Sequence, residues 1–390
     1  MRKILTRLSQ MDGRMSAWWV VVLLVFAAGM AACIARPTAS PTLPVSMATD
    51  APAAPKVADT AAAPTATAIP APSFDAPAPS AGVGILGDSN SDEYRADDNR
   101  GGAYASTTLN WMEQLIKNRG LNFGPWGTWG EPRRTGYKYN WGRSGATAGT
   151  MISSGQHTGL AQQVASGEVS DVFVWIGGND FTDFNGTYGD IYNGILSDTD
   201  LQTKIDTIIA DVTLAVDTVL KAGKVRMVVV TISDKGMVPD YVRQFSDAAG
   251  RQRVTDAINA VNAGLESMAA ARGIKVVDGR ALVFWLLDHI DAQGFLHMGS
   301  EQIRVFSRGN EPHNGQLDDP VGHAGTVLSG LLANELFVKP FNDQYGLDLV
   351  PLSDEEILQN AGLTGGSSTG SGVRGAIDWL RHSFTRGFDS

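Results

Sequence analysis

The chain holds a single cysteine, Cys33. No disulfide can therefore close within it, and no thiolate cluster of the kind that holds structural zinc can assemble. Basic charge is short as well: 31 Lys and Arg stand against 41 Asp and Glu, for a net charge of −10. That balance repels a polyanion, and no basic run offsets it, so nucleic acid is excluded as the main partner. Internal repeats are absent too. What remains is the composition of a globular protein, 390 residues at 43% hydrophobic and 8% aromatic content. Such a chain can bury at least one sizeable core, and its length allows one to three domains.

The lone cysteine is explained by what precedes it. Arg2, Lys3, Arg7 and Arg14 lead into an apolar run over 17–35, the pattern of an export signal. The run reaches Cys33 through Gly29, Met30, Ala31 and Ala32, which resembles the lipobox of bacterial lipoproteins with Met30 in place of the usual leucine. In that reading Cys33 is the lipidated first residue of the mature protein. An uncleaved membrane span and simple secretion are the other two readings, and all three place the globular part outside the cytoplasm. Residues 34–80 are built of Ala, Pro, Thr and Ser, too poor in large apolar side chains to form a core, and are expected as a flexible linker.

From residue 81 the pattern changes. Apolar runs over 82–87, 171–176, 224–231 and 273–278 read as buried strands, and stretches over 107–117, 201–222 and 247–271 read as helices. Within 201–222, Ile205, Ile208, Ile209, Val212, Ala215 and Val219 recur at spacings that mark one buried helical face. Strands alternating with helices predict one α/β domain over 81–352, with a parallel sheet and right-handed crossovers. A tail, 353–390, follows. It holds a Gly/Ser spacer and then Val373, Ile377, Leu380 and Phe384 at helical spacing, a short amphipathic helix that either docks on its own domain or rests on a membrane.

In parallel sheets ligands bind at the carboxyl ends of strands, and those places are chemically loaded. After the first strand comes the sequence GDSNS (87–91), where a turn can expose the Ser89 hydroxyl together with a backbone N–H. Acyl transfer needs that pairing, because nucleophile and oxyanion donor must reach one carbonyl group. After the second strand comes GGND (177–180), in which Asn179 can offer an uncharged amide donor. Between them the segment NWGRSGAT (140–147) provides a glycine-lined loop with Gly145 as a candidate backbone donor. Near the end, Asp318, Asp319 and His323 share a short loop before an apolar helical run over 327–337. Such a histidine can act as general base with an aspartate fixing its tautomer, and it would lose that capacity below about pH 6.5.

These blocks, in this order, resemble the SGNH/GDSL hydrolase family over roughly 82–350. The resemblance implies a flavodoxin-like three-layer α/β/α sandwich. It implies Ser89 as nucleophile and oxyanion donor, Gly145 and Asn179 as further oxyanion donors, and His323 as base. The family usually leaves two residues between its aspartate and histidine, a spacing that falls on Pro320 here, whereas three separate Asp319 from His323. Asp319, Asp318 or a backbone carbonyl is left to orient the imidazole.

The implied activity is hydrolysis of a small or polymeric carboxylic ester, without cofactor or metal. Two alternatives stand beside it: acyl transfer to, or deacetylation of, a cell-surface or plant polysaccharide, and a non-catalytic surface-binding protein on the same fold. Among the other histidines only His313 rivals His323, as part of the same long loop. The sequence GSSTG (366–370) mimics a nucleophile elbow but lacks the strand and helix that motif requires. Asp180, Asp183, Asn185 and Asp190 do not match an EF-hand spacing and read as a solvated loop. Trp126, Trp129 and Trp141 serve equally well as the lining of an acyl or sugar pocket or as anchors of an insertion.

Overall fold

The computed structural model describes residues 82–363 apart from residue 186. The leader with Cys33, the linker and the Gly/Ser spacer with its amphipathic helix lie outside the described residues. Nine strands follow one another within them: β1 (Val83–Gly87), β2 (Trp126–Thr128), β3 (Thr135–Tyr137), β4 (Asp171–Trp175), β5 (Arg226–Val230), β6 (Lys275–Val277), β7 (Phe295–Met298), β8 (Glu301–Arg308) and β9 (Asn314–Gln316). The helices that matter for packing are α1 (Trp111–Arg119), α2 (Ala148–Ser153), α3 (Gln156–Ala165), α4 (Asp198–Ala222), α5 (Ala248–Ala270), α6 (Thr326–Leu332) and α7 (Asp354–Asn360).

Strands β1, β4, β5 and β6 form one parallel sheet in that order, with Ile85 beside Phe173 and Phe173 beside Val228. Successive side chains of a strand point to opposite faces, so each strand feeds two cores. Ile85, Phe173 and Val228 turn to one face, where α1, α6 and α7 deliver Trp111, Leu115, Leu331 and Ile357. Leu86, Val174 and Val229 turn to the other, against Leu160 of α3, Val212 of α4 and Val261 of α5. The result is the three-layer α/β/α sandwich expected from the sequence.

Local chemistry explains the element boundaries. Helix α4 starts where the Ser197 side chain accepts the Asp200 N–H and buries Ile205, Ile208, Val212, Ala215, Val216 and Val219 along one stripe. Each of its larger apolar side chains contributes about 1.5–3 kcal/mol when fully buried. Helix α1 begins at Trp111, not near 107, because Asn110 and Glu113 form a reciprocal capping box there; residues Gly102–Thr107 form a separate 3-10 turn. The last expected helix is interrupted: α6 passes at Ala333–Val338 into a π-helical turn.

Two small sheets were not foreseen. Strands β2 and β3 pair antiparallel, and β8 pairs antiparallel with β7 and parallel with β9, so the stretch expected as one long loop before His323 is largely sheet. The folded body also continues past the expected boundary at 352. Ser353 and Glu356 cap α7 reciprocally, and Ile357, Leu358 and Ala361 are buried in the core shared with α1 and α6.

Candidate active site

The carboxyl ends of β1, β4 and β5 open into one pocket of about 130 Å³. Ser89 comes from the turn after β1, Asn179 from the turn after β4, and Ser233 and Lys235 from the segment after β5. His323 closes the pocket from the loop before α6. Apolar contacts come from Trp175, Ile232 and Val321.

The Ser89 turn is held by Asp88, whose Oδ1 accepts the Asn90 N–H at 2.9 Å and the Asn90 Nδ2 at 2.8 Å, while its carbonyl accepts the N–H groups of Ser91 and Asp92. Asp88 is fully enclosed, and burial raises its carboxyl above the ordinary range against the pull of the Asn90 bonds. The 140–147 loop runs alongside: Trp141 N–H donates to Ile85 O and Arg143 N–H to Gly87 O, while Asn140 Nδ2 donates to Ser91 O.

Asn179 follows Gly177, which has φ +106 and lies so close to Ile232 that a Cβ would approach its side chain to 2.9 Å. Only glycine fits that turn. One hydrogen of Asn179 Nδ2 goes to Ala146 O at 2.9 Å, leaving the other for the pocket. The neighbouring Asp180 accepts the Ala148 N–H at the start of α2 at 2.9 Å, and burial pushes its carboxyl up to about 6. Asp180 is therefore a buried brace between the two loops and not part of a solvated loop. Among the described residues no group of three or more His, Cys, Asp or Glu is arranged to hold a metal ion.

His323 Nδ1 meets Asp319 Oδ2 at 2.8 Å. The other oxygen, Oδ1, accepts the N–H groups of Val321, Gly322 and His323 at 3.1, 2.7 and 3.3 Å. The additional residue in this loop is thus absorbed by a turn wrapped around the carboxylate. Burial opposes charge on Asp319, but the His323 bond, the nearby Arg100 and the backbone donor outweigh it, and the carboxyl falls to about 2. Burial lowers the His323 imidazole, the Asp319 bond pulls it back up, and burial prevails. With Nδ1 engaged, Nε2 is the nitrogen left to accept a proton.

The other candidates lie elsewhere. Asp318 lines a separate open cleft with Tyr104 and Arg308. His313 Nε2 is tied to Glu301 Oε2 at 2.8 Å, because the segment forms β-structure and not a free loop. Gly145 is exposed at the crest of its loop, outside the pocket lining but one residue before the Ala146 carbonyl that Asn179 bonds. The three tryptophans also stay out of the lining: Arg133 stacks at 5.1 Å on Trp129 and 4.3 Å on Trp141, and Trp126 meets Tyr137 edge to face. They anchor the insertion.

Sequence reasoning missed Lys235, Trp175, Arg100 and Tyr94. The rule that ligands gather after strand ends, applied to β5 as it was to β1 and β4, would have pointed to Lys235. Its ammonium is lowered by burial and supported by the charges of Asp88 and Asp319. Nothing in the sequence singles out Arg100, whose contacts run from the nearby Asp98, Tyr94 and Ser89 to the distant Ser144.

A serine, an aspartate-bound histidine and an uncharged amide donor gathered at strand ends of an α/β/α sandwich define a site suited to acyl chemistry. A sequence profile of the GDSL-like lipase/acylhydrolase family matches residues 83–312, and the chain belongs to that family. It is accordingly an esterase or acylhydrolase. The match ends before Asp319 and His323. No curated protein matches the chain. Among solved structures it is similar to an extracellular lipase from Streptomyces rimosus, at 17% identity and TM-score 0.36, covering 68% of this chain and 100% of that one. It is also similar to a variant of an acetyl xylan esterase from Geobacillus stearothermophilus, at 15% identity and TM-score 0.37, covering 69% and 96%. A member of the lipolytic G-D-S-L family from Veillonella parvula gives 18% identity and TM-score 0.31 over 55% and 87%.

Proposed function

We propose that the protein is a serine hydrolase of short-chain carboxylic esters that works through an acyl-enzyme on Ser89. The observation that carries this reading is the shared pocket of Ser89, Asn179 and His323, with His323 Nδ1 bonded to Asp319 Oδ2 at 2.8 Å. His323 Nε2 accepts the Ser89 hydroxyl proton as Oγ attacks the ester carbonyl. The developing oxyanion is held by Ser89 N–H and Asn179 Nδ2; Gly145, the third donor that the family resemblance implies, stands outside the pocket lining. The proton then passes to the leaving alcohol, and water, deprotonated by the same imidazole, releases the acid. Asp319 fixes the imidazole tautomer and favours the imidazolium as it forms. A pocket of about 130 Å³ flanked by Trp175 and Ile232 favours a small acyl group.

Replacing Ser89 by alanine is expected to abolish release of p-nitrophenol from p-nitrophenyl acetate. Full activity in pure Ser89→Ala protein would exclude the assignment. Transfer to a sugar hydroxyl uses the same acyl-enzyme, and competition between water and added alcohols, followed by product analysis, separates the two fates. Export and anchoring through Cys33 complete the proposal: a Cys33→Ala variant is expected to lose incorporated radiolabelled palmitate, and unchanged labelling would reject Cys33 as the lipid site.

A further inference from the structure

The Arg100 guanidinium is almost wholly enclosed, with its side chain 8% exposed, although it lies on no regular element. Its Nη1 donates to Ser89 O at 3.0 Å. Its Nη2 donates to Ser144 Oγ at 3.0 Å and to Asp98 Oδ2 at 2.8 Å, and Ser144 Oγ in turn bonds Asp98. One planar group thus spans the loop that carries the nucleophile and the residue next to Gly145. Its flat face rests on the Tyr94 ring, with Cζ 4.7 Å from the centroid. Tyr94 in turn meets the His323 ring edge to face at 6.3 Å and donates its hydroxyl to Ala324 O at 3.1 Å. The segment is pinned from behind, because Arg100 N–H donates to Tyr94 O and Asn99 is held at φ +42, in the left-handed region that asparagine tolerates.

We propose that Arg100 is a positioning residue for ester hydrolysis: it sets the spacing between the Ser89 loop and the Gly145 loop, and through Tyr94 it backs the His323 ring. This inference rests on Ser89 being the nucleophile. Ser89 N–H and Asn179 Nδ2 serve one oxyanion only if the Ser89 loop and the 140–147 loop hold a fixed separation, because Ala146 O, just past Ser144, aims the Asn179 amide, and misplacement by about 1 Å can cost about 10²-fold in rate. Arginine suits the task because its rigid fork bonds two acceptors at once, which an ammonium on a flexible stem does not reproduce. The same cation acts on His323. Asp319 and Asp88 favour the protonated imidazole, Arg100 opposes it, Lys235 acts on both carboxylates, and Tyr94 presents a neutral ring.

The experiment measures kcat, KM and the pH profile of kcat/KM on p-nitrophenyl acetate for Arg100→Met and Arg100→Lys, beside Ser89→Ala. In Arg100→Met, kcat is expected to fall roughly 10- to 100-fold while KM stays within about threefold. Its acid limb is expected to move to higher pH, since the cation that opposes protonation of His323 is gone. Arg100→Lys is expected to return the limb towards wild type but to leave kcat about tenfold or more below it. Wild-type kcat in either variant, or an acid limb unmoved in Arg100→Met, would overturn the proposal. If Arg100→Met fails to fold, kcat of Arg100→Lys alone decides. An inert Ser89→Ala beside fully active Arg100 variants removes this inference only, whereas an active Ser89→Ala removes the functional reading beneath it.

Discussion

At the residue scale the site depends on how few groups do each task. Asn179 Nδ2 has one hydrogen committed to Ala146 O and one to offer, so truncation removes both a donor and a stitch between loops. Asn179→Ala is expected to lower kcat by roughly 10²–10³-fold, measured on p-nitrophenyl acetate under saturating substrate. The pH profile follows from the sign of the His323 shift. A base works only when neutral, and burial lowers the imidazole below its usual value of 6.5. Activity is therefore expected to persist as pH falls through 6.5 and to fail only below it, and a limb centred above 6.5 would contradict the buried imidazole. Asp319→Asn removes the carboxylate that favours protonation. The limb should then move lower still while kcat drops, by up to about 10⁴-fold if the tautomer is lost.

At the scale of elements, close packing sets the tolerances. Strand β1 passes so near α3 that a Cβ on Gly84 would reach 2.3 Å from a Leu160 methyl. Gly84→Ala is expected to cost about 1–3 kcal/mol by overpacking, read as a lower midpoint in urea unfolding with an unchanged slope. A variant as stable as wild type would mean that α3 slides outward at no cost. The four sheet strands and the long helices were legible in the sequence because periodicity is a property of the chain itself: the stripe from Ile205 to Val219 reads the same in one dimension as in three. The sheet of β7, β8 and β9 was legible only in part. Leu296 and Met298 of β7 and Ile303 and Val305 of β8 alternate with polar or exposed positions across the two-residue turn Gly299-Ser300, a local hairpin signal that sequence reasoning missed, whereas β9 is three residues long and pairs with β8 at only a few positions.

For the whole molecule, the same contrast governs the site. Ser89, Asn179 and His323 were visible because each follows or precedes a strongly patterned element. The choice between Asp318 and Asp319 was not, since it turns on how Pro320 and Gly322 bend one loop. Arg100 was invisible for a related reason: it belongs to no motif itself, and its bonds to Ser89 and Ser144, which do, exist only in the folded chain. The extent of the folded body is equally a tertiary matter. A chain ending at residue 363 is the reference truncation, because it keeps every described residue of the C-terminal end. Removing residues 353–390 strips Ile357 and Leu358 from the core and should cost several kcal/mol, at roughly 1.5–3 kcal/mol per buried side chain. Equal melting temperatures for the two truncations would contradict the docking of α7.

The loop wrapped around Asp319 has a consequence for how such a catalyst diversifies. Carboxylate, three backbone donors and imidazole all come from five consecutive residues, so the aspartate–histidine pair is assembled within one short loop. It is not free of the sheet that precedes it, however: Arg308 of β8 donates to Asp319 O and Pro320 O, the Leu317 N–H donates to His323 O, and Gln316 of β9 bridges Ala324. A change in β8 or β9 therefore reaches the imidazole, and loop and sheet have to vary together.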